Sequence, residues 1–401
     1  MIKEKLLEPK EIINTLILIL FISSFGQVAS DLYLPSLPGI AQDLQVNVHW
    51  SQFTITLYMF GYSISQLIYG PLSDGLGRRV LILVGMLLGL IGSILCTISP
   101  DIWWLYAGRL LQGLGLGAGM ALSRPMLRDL FSKETLAVYN SYLAIVSVVI
   151  LSVGPILGGY IEYYIGWRFN FLFLSLYAFV LIIVFYLKVP ETNPHLHPDH
   201  LKPAVILNNT ITLISSFVFL RFTAAVFMTY AGILAWLTAA PIVLQEQAGL
   251  SPVEFGWLYV FSGLGFAVGG IINAWLVARL KIERMIFLGF FIQLIAGLFM
   301  IVTYWAGYFN VWVIIIPVTI YMVGSALIFP NASAGALSPF PKIAGTAGSI
   351  FGFLQILGGA LSSALISLNK EENQLPMGIA LLITAILAMW IFIITKNHND
   401  V

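Results

Sequence analysis

Near-continuous apolar runs recur along this whole sequence, each about 20 residues long, the length at which an α-helix spans the hydrocarbon core of a bilayer. Such runs leave little choice of fold. In lipid every backbone N–H and C=O must be satisfied within the protein, so only helices or closed barrels cross it, and these runs lack the alternation of barrel strands. Read in order, they place helices near 12–36, 47–70, 79–99, 102–122, 139–162, 169–188, 216–240, 254–278, 284–305, 310–332, 344–367 and 375–395. The expected fold class is all-α: a polytopic membrane protein of about twelve transmembrane helices. Composition agrees, because 59% of the 401 residues are hydrophobic and only 9% charged, against about 25% charged in a soluble domain.

Several classes of function fall away at once. A net charge of +1 with no basic arm gives no electrostatic basis for binding nucleic acid. The single cysteine, Cys96, sits inside an apolar run, where it forms no intramolecular disulfide and reads as a small packing residue. Met1 to Phe25 has the lysines and apolar stretch of a signal peptide, but the run continues through Leu34 without a small-residue cleavage site and so reads as an uncleaved first helix.

One long polar stretch, Pro190 to Pro203, interrupts the pattern with prolines that cannot continue a helix. It divides the chain into an N-terminal six-helix bundle (1–189), a cytoplasmic linker (190–209) and a C-terminal six-helix bundle (210–401), with the halves related by pseudo-symmetry. Segment 204–244 is too long for one span, so its start reads as interfacial and Arg221 as lying near the cytoplasmic end of the seventh helix; inside that helix it would be a functional residue. With the N-terminus inside, the cytoplasmic loops and tails hold Lys3, Lys5, Lys10, Arg78, Arg79, Arg124, Arg128, Lys133, Lys188, Lys202, Arg279, Lys281, Arg284, Lys342 and Lys396, and the outer loops only Arg168 and Lys370. Both termini are therefore expected in the cytoplasm.

Nearly every acidic residue falls in a loop, a helix end or a tail, and Asp31 is the exception. In the outer half of the first helix a carboxylate is costly unless paired, hydrated or protonated; if that helix ends early, Asp31 is instead a solvated cap before Pro35. Arg109 enters the fourth helix to the same depth, roughly 9 Å below the outer surface at 1.5 Å per residue, and so is the expected partner. Burial favours the neutral form of a carboxyl and a nearby guanidinium the ionised form, so a change in their separation would load or unload a proton. Asp31 is thus the candidate proton-coupling site, with Arg109.

The loop after the second helix reads Gly70-Pro-Leu-Ser-Asp74-Gly-Leu-Gly77-Arg78-Arg79, whose glycines permit a tight turn beside an acid and two bases. As a charged turn it needs no further explanation, but its spacing resembles the G-x-L-x-D-x-x-G-R-R/K signature of the major facilitator superfamily. Arg109-Leu-Leu-Gln112-Gly113 resembles that family's R-x-x-Q-G motif, and Gly154-Pro155-Ile-Leu-Gly158-Gly159 resembles the G-P-x-x-G-G motif of its proton-driven antiporters. Asp31-Leu-Tyr-Leu-Pro-Ser-Leu-Pro38, Arg124-Pro-Met-Leu-Arg128-Asp129, Trp167-Arg168-Phe-Asn-Phe171, Phe329 to Leu337 and Ala344 to Gln355 look like the Bcr/CflA group of drug:proton antiporters. The resemblance implies efflux across a bacterial inner membrane coupled to proton entry, with Asp31 and Arg109 at the coupling positions. It also implies a cytoplasmic charge network of Asp74, Arg78 and Asp129 that closes the inside of the outward-facing state. Two departures stand out: Ser23 occupies the place where some multidrug members have a second acid, and Ala274 to Arg284 keeps basic charge without the Asp-x-x-Gly turn.

Gln27, Tyr58, Tyr62, Gln66, Gln112, Trp236, Asn331 and Gln355 are the polar and aromatic residues within spans that are candidates to line a central cavity; each has a packing role as its alternative. A cavity of amphipathic aromatics suits moderately hydrophobic compounds. Arg124 and Arg128 either attract anionic substrates or anchor their helix at lipid headgroups. No H-E-x-x-H, G-x-S-x-G or P-loop pattern occurs, so an enzyme is not expected and an ion gradient is the expected energy source. His195, His197 and His200 lack a supporting ligand framework, so no metal and no cofactor is expected. The expected partners are a small-molecule substrate, protons and the lipid bilayer, with the protein a monomer. The rival readings are a dedicated exporter or importer of one metabolite, siderophore or amino-acid derivative, and a non-transporting membrane sensor or scaffold.

Overall fold

The computed structural model describes residues 9–131, 149, 152–193, 203–369 and 373–395. The histidines of the 195–200 stretch, the first part of the fifth expected span, and Lys3, Lys5, Lys133, Lys202, Lys370 and Lys396 lie outside the described residues. The described residues form helices and no strand: α1 Pro9–Asp31, α2 Leu37–Asp43, α3 Val48–Leu76, α4 Arg78–Thr97, α5 Ile102–Leu130, α6 (152–164), α7 Arg168–Lys188, α8 Pro203–Ile214, α9 Phe217–Ile242, α10 Pro252–Leu258, α11 Val260–Leu276, α12 Ile282–Trp305, α13 Trp312–Leu337, α14 Ala344–Leu368 and α15 Gln374–Ile394.

Nine helical stretches among the described residues are long and apolar enough to cross a bilayer. The helices α3 and α5, each 29 residues long, are more polar. Their polar residues are turned inward: Ser51, Gln52, Thr54, Thr56, Ser63, Ser65 and Gln66 on α3, and Arg109, Gln112 and Ser123 on α5, are all buried. Polarity on the inside of a membrane bundle is the mark of a functional interior. Large apolar side chains such as Leu187, Ile271, Val302 and Leu365 cover the outside, and Trp103, Trp104, Trp305 and Trp312 stand exposed at helix ends, where indoles favour the lipid headgroup level.

Two groups of helices pack internally: α1, α3, α4, α5 and α7 in one, and α9 and α11 to α15 in the other, with α3 against α14 as the most extensive contact between them. With little hydrophobic drive between helices in lipid, close approach depends on small residues. Between α4 and α5, an added Cβ at Gly85 would come within 2.6 Å of Gly115 O, and one at Gly92 within 2.7 Å of Gly108 O. The same device joins α12 to α13, where Gly289 and Gly324 each face the other's carbonyl. One packing device thus serves both helical groups.

Local structure departs from the apolar runs where proline and glycine intervene. The first run, expected as one helix to residue 36, breaks after Asp31 into a 3-10 turn, Leu34–Ser36, and α2, because Pro35 and Pro38 lack the N–H that an unbroken helix requires. Helix α3 overruns its expected end and continues to Leu76 through Pro71, so the corner expected from two glycines is made by Gly77 alone, at φ 91°. Segment 203–214, expected as interfacial, is the short helix α8, and Ser216 then caps α9 by accepting from Phe219 N. Arg221 lies buried in α9 near its start and serves the fold, since its Nε donates to Phe392 O at 3.0 Å and its guanidinium rests 3.9 Å from the Phe392 ring centre.

Candidate functional site

The polar interiors of α3 and α5 converge on Arg109, whose exposure is 0%. Its Nη1 donates to Ala29 O on α1 at 3.0 Å and to Gln112 Oε1 at 2.7 Å. Gln112 is held in turn, because its Nε2 donates to Ser93 Oγ on α4 at 2.7 Å. Two tyrosines flank the guanidinium, Tyr33 and Tyr58, with each ring centre 4.1 Å from Cζ, an attraction worth about 2 kcal/mol when desolvated. Tyr33 hydroxyl meets Thr54 Oγ1 at 3.0 Å, and Tyr58 hydroxyl donates to Gly26 O at 2.5 Å, so α1 and α3 fix the cage.

Asp31 ends α1 with 2% exposure, and is therefore no solvated cap. Its carboxyl lies within electrostatic reach of Tyr58 and Tyr62 of α3 and of Tyr230 of α9 and Tyr259 beside α10, at the junction of the two helical groups. The direct pair with Arg109 suggested by their common depth is not formed. Arg109 reaches instead to Ala29, two residues before Asp31, and its flat faces are taken by aromatic rings. Asp31 Oδ2 and Arg109 Nε and Nη2 are buried without hydrogen-bond partners. Two ionisable groups of opposite charge held apart in a buried interior, each incompletely satisfied among the described residues, form an arrangement whose protonation depends on small displacements.

Around this centre the expected outer end is shut. Gln52 Nε2 donates to Thr238 O at 2.9 Å, Thr56 and Ser363 hydroxyls meet at 2.9 Å, and Gln245 Nε2 donates to Pro35 O at 3.0 Å. Residues 231–244 of α9 and its extension are all buried. The Gly154 to Gly159 motif completes the seal. A Cβ on Gly154 would lie 3.6 Å from Asp31 Cβ, while one on Gly158 would overlap Leu32 O and one on Gly159 would overlap Pro252 O at the start of α10. Gly158→Val is therefore expected to push α6 off the turn after Asp31 and to lower stability by about 1–3 kcal/mol, read as a fall in melting temperature in detergent. Gly348→Ala, where an added Cβ meets nothing within 4 Å, is the control and should leave it unchanged.

At the other end Arg78 forms an ion pair with Asp129 of α5, and its Nη1 also reaches Ser73 Oγ at 3.5 Å. Asp74 lies on α3, and its side chain is outside the described set. A residue that sequence reasoning missed completes the corner. Glu191 accepts from Arg78 N at 2.9 Å and from Arg79 N at 3.0 Å, clasping the first amides of α4, while Gly77 leaves room for its carboxylate. Arg79 Nη2 donates to Tyr186 O at 2.6 Å on the same end of α7. Glu191→Ala is expected to cost about 1 kcal/mol and to speed hydrogen exchange at the Arg78 and Arg79 amides.

The cavity candidates divide. Tyr62 stacks on Tyr58 at 5.7 Å, and Trp236 stacks on Tyr259 at 6.1 Å with its indole N–H buried and without a partner. Gln27 and Gln355 are half-buried on α1 and α14. Gln112 and Asn331 are held by neighbouring helices: Gln112 is tied to Arg109 and Ser93, and Asn331 Nδ2 donates to Asn273 Oδ1 at 2.6 Å between α13 and α11. Gln66 likewise turns to α5, donating to Gly117 O at 3.2 Å. Tyr33, Tyr230 and Tyr259 join the site from outside the expected set; the position of Tyr33 two residues after Asp31 was its available signal.

Comparison with known proteins places this geometry. Residues 16–363 match the Major Facilitator Superfamily profile. Multidrug resistance protein D of Escherichia coli (strain K12) is 28% identical over 392 residues, covering 97% of this chain and 98% of that protein. A bicyclomycin resistance protein homolog of Haemophilus influenzae is 30% identical over 347 residues, 86% of this chain and 87% of that one. Among solved structures, the peptide transporter POT in complex with sulfate superposes with a TM-score of 0.76 at 16% identity, over 97% and 96% of the two chains. The partially occluded inward-open form of the xylose transporter XylE from E. coli gives 0.73 at 14%, over 96% and 98%, so both share the fold. The chain therefore belongs to the Major Facilitator Superfamily, among its Bcr/CflA-like members.

Proposed function

We propose that this protein is a proton-coupled exporter that moves small, moderately hydrophobic drugs out of the bacterial cytoplasm by alternating access. The observation that carries the reading is Asp31, a carboxyl buried where the two helical groups meet, with Arg109 caged a short way off. A proton on Asp31 removes the charge that draws on Arg109 and on the tyrosines of both groups, so proton occupancy and the contact between the groups are linked. The aromatic surfaces of Tyr62, Trp236 and Tyr259 favour apolar ligands through dispersion, and the unpartnered indole N–H of Trp236 offers one adaptable hydrogen bond.

In this scheme residues 1–189 and 210–401 rock against each other, with 190–209 as their link. Arg78, Asp129 and Glu191 brace the cytoplasmic end, together with Asp74, and the Gly154–Pro155–Gly158–Gly159 seal closes the outer one. The protein is a monomer of the inner membrane with both termini in the cytoplasm, and its work is transport rather than catalysis. Its relatives' names, for multidrug and bicyclomycin resistance, support the substrate class.

The test is transport in proteoliposomes with an imposed pH gradient and a panel that includes bicyclomycin and chloramphenicol. Uphill movement of several chemically unrelated compounds, each competing with the others, is expected. Movement of one compound alone would replace the multidrug reading with a dedicated transporter, and absence of any flux would sink the proposal.

A further inference from the structure

A second carboxyl lies near the outer end, on α6, and the coupling scheme makes no use of it. Glu162 Oε1 lies against Gly39 of α2, where a Cβ would overlap it. Its Oε2 is buried and meets no hydrogen-bond donor. Ser36, in the 3-10 turn before α2, faces the same carboxyl and accepts from Asn170 Nδ2 of α7 at 2.9 Å, while Asn170 Oδ1 is itself buried without a donor. The charged groups around it are already committed. Arg168 is paired with Asp43, which also accepts from Trp167 Nε1 at 3.0 Å, and Arg168 Nη2 donates to Ser99 O at 3.0 Å. From α10, Glu254 is turned back on its own helix, accepting from Ser251 N at 2.8 Å.

We propose that Glu162, with Ser36 and Asn170, forms a second proton-binding site that holds the outer end shut while it is occupied. The Ser36 hydroxyl is the one donor facing the carboxyl, Oε2 has none, and no cation pairs with it among the described residues, so the ionised form is incompletely satisfied and a proton supplies the missing donor. Opening the outer end must part Gly159 from Pro252 and Gly256 from Pro155, the contacts of the helix that carries Glu162, and the proposal requires that this movement of α6 also draw the carboxyl off Gly39 and into water. The closed form therefore binds the proton more tightly than the open form, and by reciprocity the proton favours closure. Lowered pH outside closes this end behind the departing substrate.

The inference rests on the proton-coupled reading, and its test is built to fail separately. The full chain is placed in lipid nanodiscs on a Cys96→Ser background with spin labels at Ile98→Cys and Tyr308→Cys, two exposed positions at the outer ends of the two helical groups. Raising pH from about 5 to about 9, the range over which buried carboxyls titrate, is expected to lengthen the label separation. The open-to-closed ratio should rise up to about tenfold per pH unit while Glu162 titrates. On an Asp31→Asn background, which removes the other coupled proton, Glu162→Gln is expected to lose this response and stay shut; Glu162→Asp should keep it with a displaced midpoint. Asp31→Asn should keep it too, even as its proton-driven flux is lost. Normal flux in Asp31→Asn with the response lost in Glu162→Gln would overturn only the coupling role of Asp31. A response unchanged in Glu162→Gln, or absent from the parent chain, would overturn the proposal.

Discussion

Asp31→Asn is expected to abolish uphill, proton-driven accumulation in proteoliposomes while leaving downhill exchange of the same compound in place. The substitution keeps the size and much of the hydrogen-bonding of the side chain in a site with 2% exposure, so the packing against Gly154 and the turn that follows should persist. What it removes is the capacity to hold a proton in one arrangement and release it in the other. With the coupling gone, a pH gradient of one unit, worth a factor of ten for one proton, no longer drives accumulation, and the steady gradient should fall by about tenfold to the passive level. Counterflow, which needs only binding and rocking, serves as the control for folding. An Asp31→Asn protein that still builds a full gradient would show that the proton travels elsewhere. Asp31→Glu, one methylene longer in a closed site, should retain partial coupling.

The helices were legible because apolar length is a property of the chain alone, and so was the burial of Asp31, since the apolar run continues beyond it. The end of α3 was not, because whether a helix carries on through Pro71 depends on what packs beside it. The phase of a polar residue on its helix was no easier to read. The partners of Gln112 and Asn331, Ser93 on α4 and Asn273 on α11, depend on that phase. Charge depth alone suggested a bond between Asp31 and Arg109, but Tyr33 and Tyr58, brought in by two different helices, claim the guanidinium. Glu191 was beyond reach, since its amide partner at Arg78 lies 113 residues earlier in the chain. Glu162, read as one more acid at a helix end, gains meaning only from Gly39 and Ser36, which the breaks at Pro35 and Pro38 fold against it.

Arg109→Met should separate the needs of the fold from those of transport. The guanidinium is fully buried, yet two of its nitrogens, Nε and Nη2, have no hydrogen-bond partner, and Asp31 does not neutralise it at contact distance. The desolvation penalty of such an ion is only partly offset by Ala29 O, Gln112 Oε1 and the two ring faces. Replacing a buried charge by an apolar side chain of similar volume is often neutral or stabilising by about 1–4 kcal/mol, and methionine is flexible enough to fill the slot between Tyr33 and Tyr58. The variant is therefore expected to melt at or above the temperature of the parent chain in detergent, while its proton-driven flux is lost. Arg109→Lys gives the complementary readout. A single ammonium cannot satisfy Ala29 O, Gln112 Oε1 and two aromatic faces at once, so it should lower stability while retaining part of the coupling. If Arg109→Met instead unfolded the protein as Gly158→Val is expected to strain it, the arginine would be a structural pillar, and the charge held apart from Asp31 would need no role in transport.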